Sequence, residues 1–306
     1  MNKIPVYLIT GFLGSGKTTL IKRLIDTCAD NLRVAVVQNE FAPASFDGNE
    51  LKRLTDKHFH LLEVNNGSVF CVCLLSGFIQ SLSKFVNDYA PEIVLLEASG
   101  LSDPVTIGEL FGANELRERL YLAGSICIVD PASFLKMEKL QQRIVHQVQV
   151  ADQIIINKID LSGDVEEVVQ KIRQVNPLGK IQKAKYCDVR LDDIMDMQRN
   201  ELFPGSSFTD LAAESSGRPD IKSAVFRTTK PLKKENVSLF FNAILPHLIR
   251  LKGYILLDSG NFLAVQVSQN ILQTESINKS VSQTEIIAMG YEMTAGDIGR
   301  VYKQYS

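Results

Sequence analysis

Gly11-Phe12-Leu13-Gly14-Ser15-Gly16-Lys17-Thr18 stands directly after the apolar run Val6-Tyr7-Leu8-Ile9 and opens a helical pattern from Lys17 to Asp30. The spelling is G-x-x-x-x-G-K-[ST], and a preceding strand with a following helix is the context that gives it meaning. Glycines at Gly11, Gly14 and Gly16 let backbone N–H groups turn inward around anionic oxygens, and the helix N-terminus adds partial positive charge. Ser15 and Thr19 belong to the same cradle. Lys17 would reach the β and γ phosphates of a nucleotide, and the Thr18 hydroxyl would ligate Mg²⁺. The bland alternative is an incidental glycine-rich turn, which leaves the flanking strand and helix unexplained.

The same alternation continues outward. Val34-Ala35-Val36-Val37, Ile93-Val94-Leu95-Leu96, Ile126-Cys127-Ile128-Val129 and Ile154-Ile155-Ile156 share the β-branched, nearly unbroken apolar character of the first run. Strands covered on both faces look like this. Helical patterns lie between them, around Leu75 to Asn87, Pro131 to Val150 and Val165 to Val175. Strand and helix alternating in this way predict a doubly wound α/β domain with a mostly parallel sheet. Its limits are set at 1–205. Gly, Ser and Pro over residues 206–220 read as a linker. Residues 221–306 predict a smaller α+β domain: strands near 224–227, 253–257, 261–267 and 284–289, helices at 234–245 and 294–305, and a hairpin turn at Asp258-Ser259-Gly260-Asn261.

Thirty-three Lys and Arg against 35 Asp and Glu give a formal charge of −2 over 306 residues. So even a balance argues against nucleic acid or an anionic membrane as the main partner. No apolar stretch approaches the roughly 20 residues that span a bilayer. The run from Ile4 is cut at Thr10-Gly11, so export is not expected. Five unevenly spaced cysteines do not form a secreted disulfide pattern, and a reducing, cytoplasmic setting follows.

Asn157-Lys158-Ile159-Asp160 follows the run at Ile154. Guanine offers a ring N–H and an exocyclic amine side by side, and one carboxylate can accept from both. Adenine lacks that pair. Asp160 suits this role, with Asn157 and the Lys158 stem framing the ring, so GTP is favoured over ATP. Glu97 ends the strand at Ile93, where it serves either the metal and attacking water or as a cap on the next helix. Glu40, in Asn39-Glu40-Phe41, heads a stretch with Pro43 and Gly48 that reads as a switch loop, and either Glu40 or Glu97 would help Thr18 hold Mg²⁺. Carboxylates at the C-terminal ends of parallel strands surround the expected ligand crevice.

Taken together, Gly11 to Thr19, Asn39-Glu40-Phe41, Glu97-Ala98-Ser99-Gly100-Leu101-Ser102-Asp103-Pro104 and Asn157 to Asp160 resemble the CobW family of GTPases, within the group that includes the urease and hydrogenase nickel-insertion GTPases. Asn176-Pro177-Leu178-Gly179 and Arg250-Leu251-Lys252-Gly253-Tyr254 extend the likeness toward the C-terminus. The resemblance implies a GTP-hydrolysing metallochaperone for zinc, cobalt or iron, acting on a client metalloprotein, with a homodimer across the nucleotide left open. The family's C-x-C-C element is incomplete here. In Asn66-Gly67-Ser68-Val69-Phe70-Cys71-Val72-Cys73 only Cys71 aligns, with Cys73 just beyond.

Cys71 and Cys73 remain either two ligands for Zn²⁺ or Co²⁺, completed by Glu40, water or a second chain, or two small buried hydrophobes. His58 and His60 share a face if their segment is extended, as ligands or as a solvated edge. Cys28, Cys127 and Cys187 read as core or incidental. Lys17 and Glu97 are the expected catalytic residues. No catalytic Gln or arginine finger stands out, which predicts slow hydrolysis. Two rivals stay open: a GTP-dependent activator of a metalloenzyme or corrinoid protein that carries no metal, and a small-molecule kinase. The Asn157 to Asp160 element argues against the kinase.

Overall fold

The computed structural model describes residues 3–39, 55–64, 72–98, 114–137, 142–190, 221–268, 271–277, 283–291 and 293–306, with isolated positions 104, 107, 111 and 194. The chain divides into two compact units, one of residues 1–172 and 179–199 and the other of 173–178 and 200–306. The expected linker at 206–220, together with Glu40 and Cys71, lies outside the described residues; of Cys73 only the helical backbone is described.

Among the described residues the first unit has seven parallel strands: β1 (Ile4–Gly11), β2 (Val34–Asn39), β3 (His60–Val64), β4 (Ile93–Glu97), β5 (Leu120–Val129), β6 (Gln153–Ile156) and β7 (Lys180–Lys183), in the spatial order β3-β2-β4-β1-β5-β6-β7. The five apolar runs are all strands. Helices α1 (Lys17–Cys28), α2 (Val72–Tyr89), α3 (Asn114–Arg117), α4 (Pro131–Met137), α5 (Gln142–Gln149) and α6 (Glu166–Val175) provide the crossovers. The pattern from Pro131 to Val150 thus holds two helices, α4 and α5.

Each sheet face has its own core, set by strand parity. Tyr7, Ile9, Val34, Val36, Ile93 and Leu95 pack against Leu20, Ile21 and Leu24 of α1. The alternate residues Val6, Leu8, Ala35, Val37, Val94 and Leu96 pack against Phe78, Leu82 and Phe85 of α2. β3 and β7 carry polar residues, as edge strands do, and for that reason lack the apolar signature of the central five. The Asn176-Pro177-Leu178 segment ends α6 with a side-chain turn, the Leu178 N–H donating to Asn176 Oδ1 at 3.0 Å. That turn delivers the chain into β7.

The second unit is an antiparallel sheet in the order β11-β10-β9-β12-β8, from β8 (Ile221–Thr228), β9 (Leu248–Leu256), β10 (Phe262–Ser268), β11 (Ile271–Ile277) and β12 (Thr284–Tyr291). Phe240, Phe241 and Ile244 of α7 (Val237–Ile244) and Ile298 and Tyr302 of α8 (Ala295–Tyr305) join its core. The hairpin at Asp258-Ser259-Gly260-Asn261 connects β9 to β10, closed by the Gly260 N–H donating to the Leu257 carbonyl at 2.9 Å. Arg250 is buried within β9, so the Arg250 to Gly253 segment is strand.

Candidate functional site

The loop between β1 and α1 is shaped for an anion. Gly11, Gly14 and Gly16 take φ values of +138°, +74° and +114°. At Gly11 an added Cβ would stand 2.5 Å from the Ile128 carbonyl oxygen, which is strand backbone and cannot yield. Gly11→Ala is therefore expected to cost about 3 kcal/mol or more of stability, read as a lowered denaturant midpoint. An unchanged midpoint would show that the loop relaxes around the added methyl. At Gly16, the residue preceding α1, no side chain among the described residues caps the helix, and no acid occupies its first turn. The first N–H groups of α1 are thus left for an outside acceptor. By contrast, α8 carries a complete capping box of Thr294 and Asp297. Lys17 is buried and donates to the carbonyls of Gly11 and Phe12 at 3.2 and 3.4 Å, held over the cradle by two long bonds. These features fit the phosphates of a nucleotide.

The Asn157 to Asp160 element sits where β6 ends, and the tertiary structure gives its residues separate tasks. Asn157 is buried; its Nδ2 donates to the Ser15 carbonyl at 2.9 Å, and its Oδ1 accepts from the Cys187 N–H at 2.8 Å. Lys158 adopts a left-handed φ of +59°, and its Nζ donates to Asp130 Oδ2 at 3.0 Å. Asp130 also caps α4, accepting from the Ala132 N–H at 3.0 Å. Asp160 is exposed, with Lys185 Nζ 3.9 Å away. Its carboxylate is available to a ligand.

A second loop, residues 184–188, completes this region, and nothing in the local sequence marks it. The Ile159 N–H donates to the Ala184 carbonyl at 3.3 Å. Tyr186 and Cys187 are both left-handed, at φ +50° and +51°. Two such residues in succession are strained, and surrounding contacts hold them. From α1, Arg23 donates to the Tyr186 carbonyl at 2.8 Å and to Asp188 Oδ1 at 2.9 Å. The Cys187 thiol lies 3.4 Å from the Gly16 carbonyl and donates to it. Phosphate loop, α1, the Asn157 turn and this loop are one knitted block.

Burial pushes the Cys187 and Cys127 thiols up to about 12, and raises Cys28 as well. All three stay protonated at neutral pH and are not thiolate ligands. Cys28 and Cys127 are core, as expected, whereas Cys187 is part of the site. Asp130 carries a usable local signal, since Asp-Pro before a helix is an N-cap followed by Pro at the first position. Cys187 carries none, since its place depends on a loop after an edge strand.

Glu97, at the end of β4, is buried and accepts from Gln38 Nε2 at 2.8 Å. His58 and His60 do come together, with ring centroids 5.1 Å apart and edge to face. His60 stacks on Tyr89 at 4.1 Å, at the N-terminal end of β3 and away from the strand ends that carry Gly11 and Glu97. Desolvation and the neighbouring His58 lower its pKa. No group of three potential metal ligands occurs among the described residues. No helix among them is long and apolar enough to cross a membrane.

Residues 5–183 match the family model described as CobW/HypB/UreG, nucleotide-binding domain. The zinc chaperone YjiA of Escherichia coli (strain K12) is 27% identical over 279 residues, covering 84% of this chain and 83% of that protein. The zinc-regulated GTPase metalloprotein activator 1 of Saccharomyces cerevisiae is 28% identical over 263 residues, 76% of this chain. The chain spans only 60% of that yeast protein's length. Among solved structures, zinc-bound YjiA GTPase from E. coli superposes with a TM-score of 0.64 over 100% of both chains at 21% identity, a likeness of fold. With a glycine cradle, an uncapped helix start, an Asn-Lys-x-Asp turn and a family model over most of the first unit, the chain belongs to the CobW/HypB/UreG family of P-loop GTPases.

Proposed function

We propose that this protein is a GTP-dependent zinc metallochaperone that hydrolyses GTP slowly and passes the metal to a client metalloprotein in the cytoplasm. The observation that carries the reading is Asn157, which ties the phosphate loop at Ser15 to the guanine-reading turn and to Cys187. Phosphate and base are thereby read by one rigid frame. The zinc cargo is supported by the names of the relatives, zinc chaperone and zinc-regulated metalloprotein activator.

Lys17 supports the β and γ phosphates, and Asp160 accepts from the guanine edge. Thr18 and Glu97 are the residues to hold Mg²⁺, which when bound neutralises charge developing on the phosphates. Glu97 also orients the attacking water. Cys71 and Cys73, with Glu40, take the zinc, and their place in the chain between the switch loop at Glu40 and the strand that ends at Glu97 links cargo to nucleotide state. The domain limits 1–205 and 221–306, joined by 206–220, belong to the same reading.

Coupling between sites is reciprocal, so zinc affinity must differ between nucleotide states. Titration of zinc against the protein loaded with a non-hydrolysable GTP analogue and with GDP is expected to give affinities at least about 5-fold apart, lost in Cys71→Ser/Cys73→Ser. Equal affinities in both states would remove the chaperone. The incomplete cysteine element favours a second reading, the metal-free activator. It is selected if the double serine variant still activates the client fully.

A further inference from the structure

Gln38 and Glu97 are partners in register on the adjacent parallel strands β2 and β4. Below them Val34, Val36, Ile93 and Leu95 face the core formed with α1. Strand parity therefore brings both polar side chains out on the α1 face, at the strand ends, where α1 begins with Lys17 and Thr18. Both residues are buried, at 5% and 6% exposure. Gln38 Nε2 donates to Glu97 Oε2 at 2.8 Å.

An ionised carboxylate can only accept, so the amide must turn its nitrogen to Glu97 and its oxygen away. That oxygen, Gln38 Oε1, is buried and has no hydrogen-bond partner among the described residues. A buried acceptor left without a donor is uncommon in native proteins and asks what donor arrives there. Water is the donor that a phosphate-hydrolysing site supplies.

We propose that Gln38 is the positioning residue of the hydrolytic centre: its N–H fixes the Glu97 carboxylate, and its Oε1 accepts a hydrogen bond from the attacking water. This rests on the GTP-hydrolysing reading above. The chemistry itself is simple hydrolysis. The water oxygen bonds to the γ phosphorus as the bond to the GDP oxygen breaks, and the water's proton leaves with inorganic phosphate. Gln38 forms no covalent bond and takes no proton. An amide orients water without activating it strongly, in keeping with slow turnover. Gln38 does not stand out in the sequence because it follows directly on an apolar strand run and is far along the chain from Glu97.

Gln38→Met keeps the length and volume of the side chain and removes both polar ends. It is expected to lower kcat by roughly 10- to 100-fold, with the affinities for GDP and a GTP analogue unchanged within about twofold. In a Glu97→Gln background the same change should alter kcat by less than about twofold, because the two residues act as a unit. Gln38→Asn, whose amide is one methylene short of Glu97, should lose turnover as Gln38→Met does, which covers the case of a poorly folded methionine variant. Wild-type kcat in either variant, or an undiminished loss in the Glu97→Gln background, overturns the assignment. A wild-type protein that turns over no GTP instead removes the proposed function, and this inference with it.

Discussion

Lys17→Ala is expected to lower GTP turnover by roughly 100-fold or more, the scale of losing one preorganised donor to developing charge. Nucleotide retention should fall with it. The ammonium is buried over the loop and held by two long bonds, to the Gly11 and Phe12 carbonyls at 3.2 and 3.4 Å. An ammonium has three donors, and phosphate oxygens in the cradle would offer it shorter, charge-assisted bonds. The loop's shape comes from positive-φ glycines and not from this side chain, so the variant should fold normally. Fluorescent GTP analogue titration, phosphate release and a thermal melt measure the three quantities. Turnover within twofold of wild type, with the melt unchanged, would place the phosphates elsewhere.

Asn157→Ala carries the second large effect, and it is of a different kind. Its side chain satisfies the buried Ser15 carbonyl and the Cys187 N–H at once. Truncation orphans both groups, at about 1–3 kcal/mol each, so a loss on the order of 4 kcal/mol is expected in chemical denaturation. Nucleotide affinity should drop too, because the phosphate loop and base turn lose their link. Asp160→Asn, three residues on, should behave oppositely. Asp160 is exposed, and its ion pair with Lys185 at 3.9 Å is of the kind that contributes little. Stability is expected to hold while guanine binding falls on the order of 100-fold, since an amide N–H then meets the donors of guanine. Xanthosine triphosphate, with a carbonyl in place of the amine, should gain in competition. An unaltered unfolding midpoint for Asn157→Ala, or intact guanine preference for Asp160→Asn, contradicts the division of labour.

The elements legible in the sequence are those whose information is local. Central strands such as Val34 to Val37 are apolar on both faces because helices cover both faces, so composition alone marks them. The phosphate loop is legible because glycine, Lys and Thr must sit at fixed offsets from one another. The edge strands β3 and β7 and the outer strand β11 lack that apolar signature because, among the described residues, one side of each has no strand neighbour, and polar residues such as Lys180 and Gln182 are tolerated there. Within the site, Asn157 reads in the sequence as framing the base, but its larger task is structural and depends on Ser15, 142 residues away in the chain.

By itself, the sequence determined the doubly wound α/β architecture, the phosphate loop and the Asn-Lys-x-Asp turn, since each is written in residue types at short, fixed spacing. Only the tertiary structure decided which residues form the site around them: Asp130 holding Lys158, Cys187 and Arg23 closing the loop at 184–188, and Gln38 set against Glu97. These pairings join positions from 28 to 165 residues apart. They exist because parallel strands bring their C-terminal ends to one edge of the sheet, and no spacing along the chain encodes which neighbours meet there.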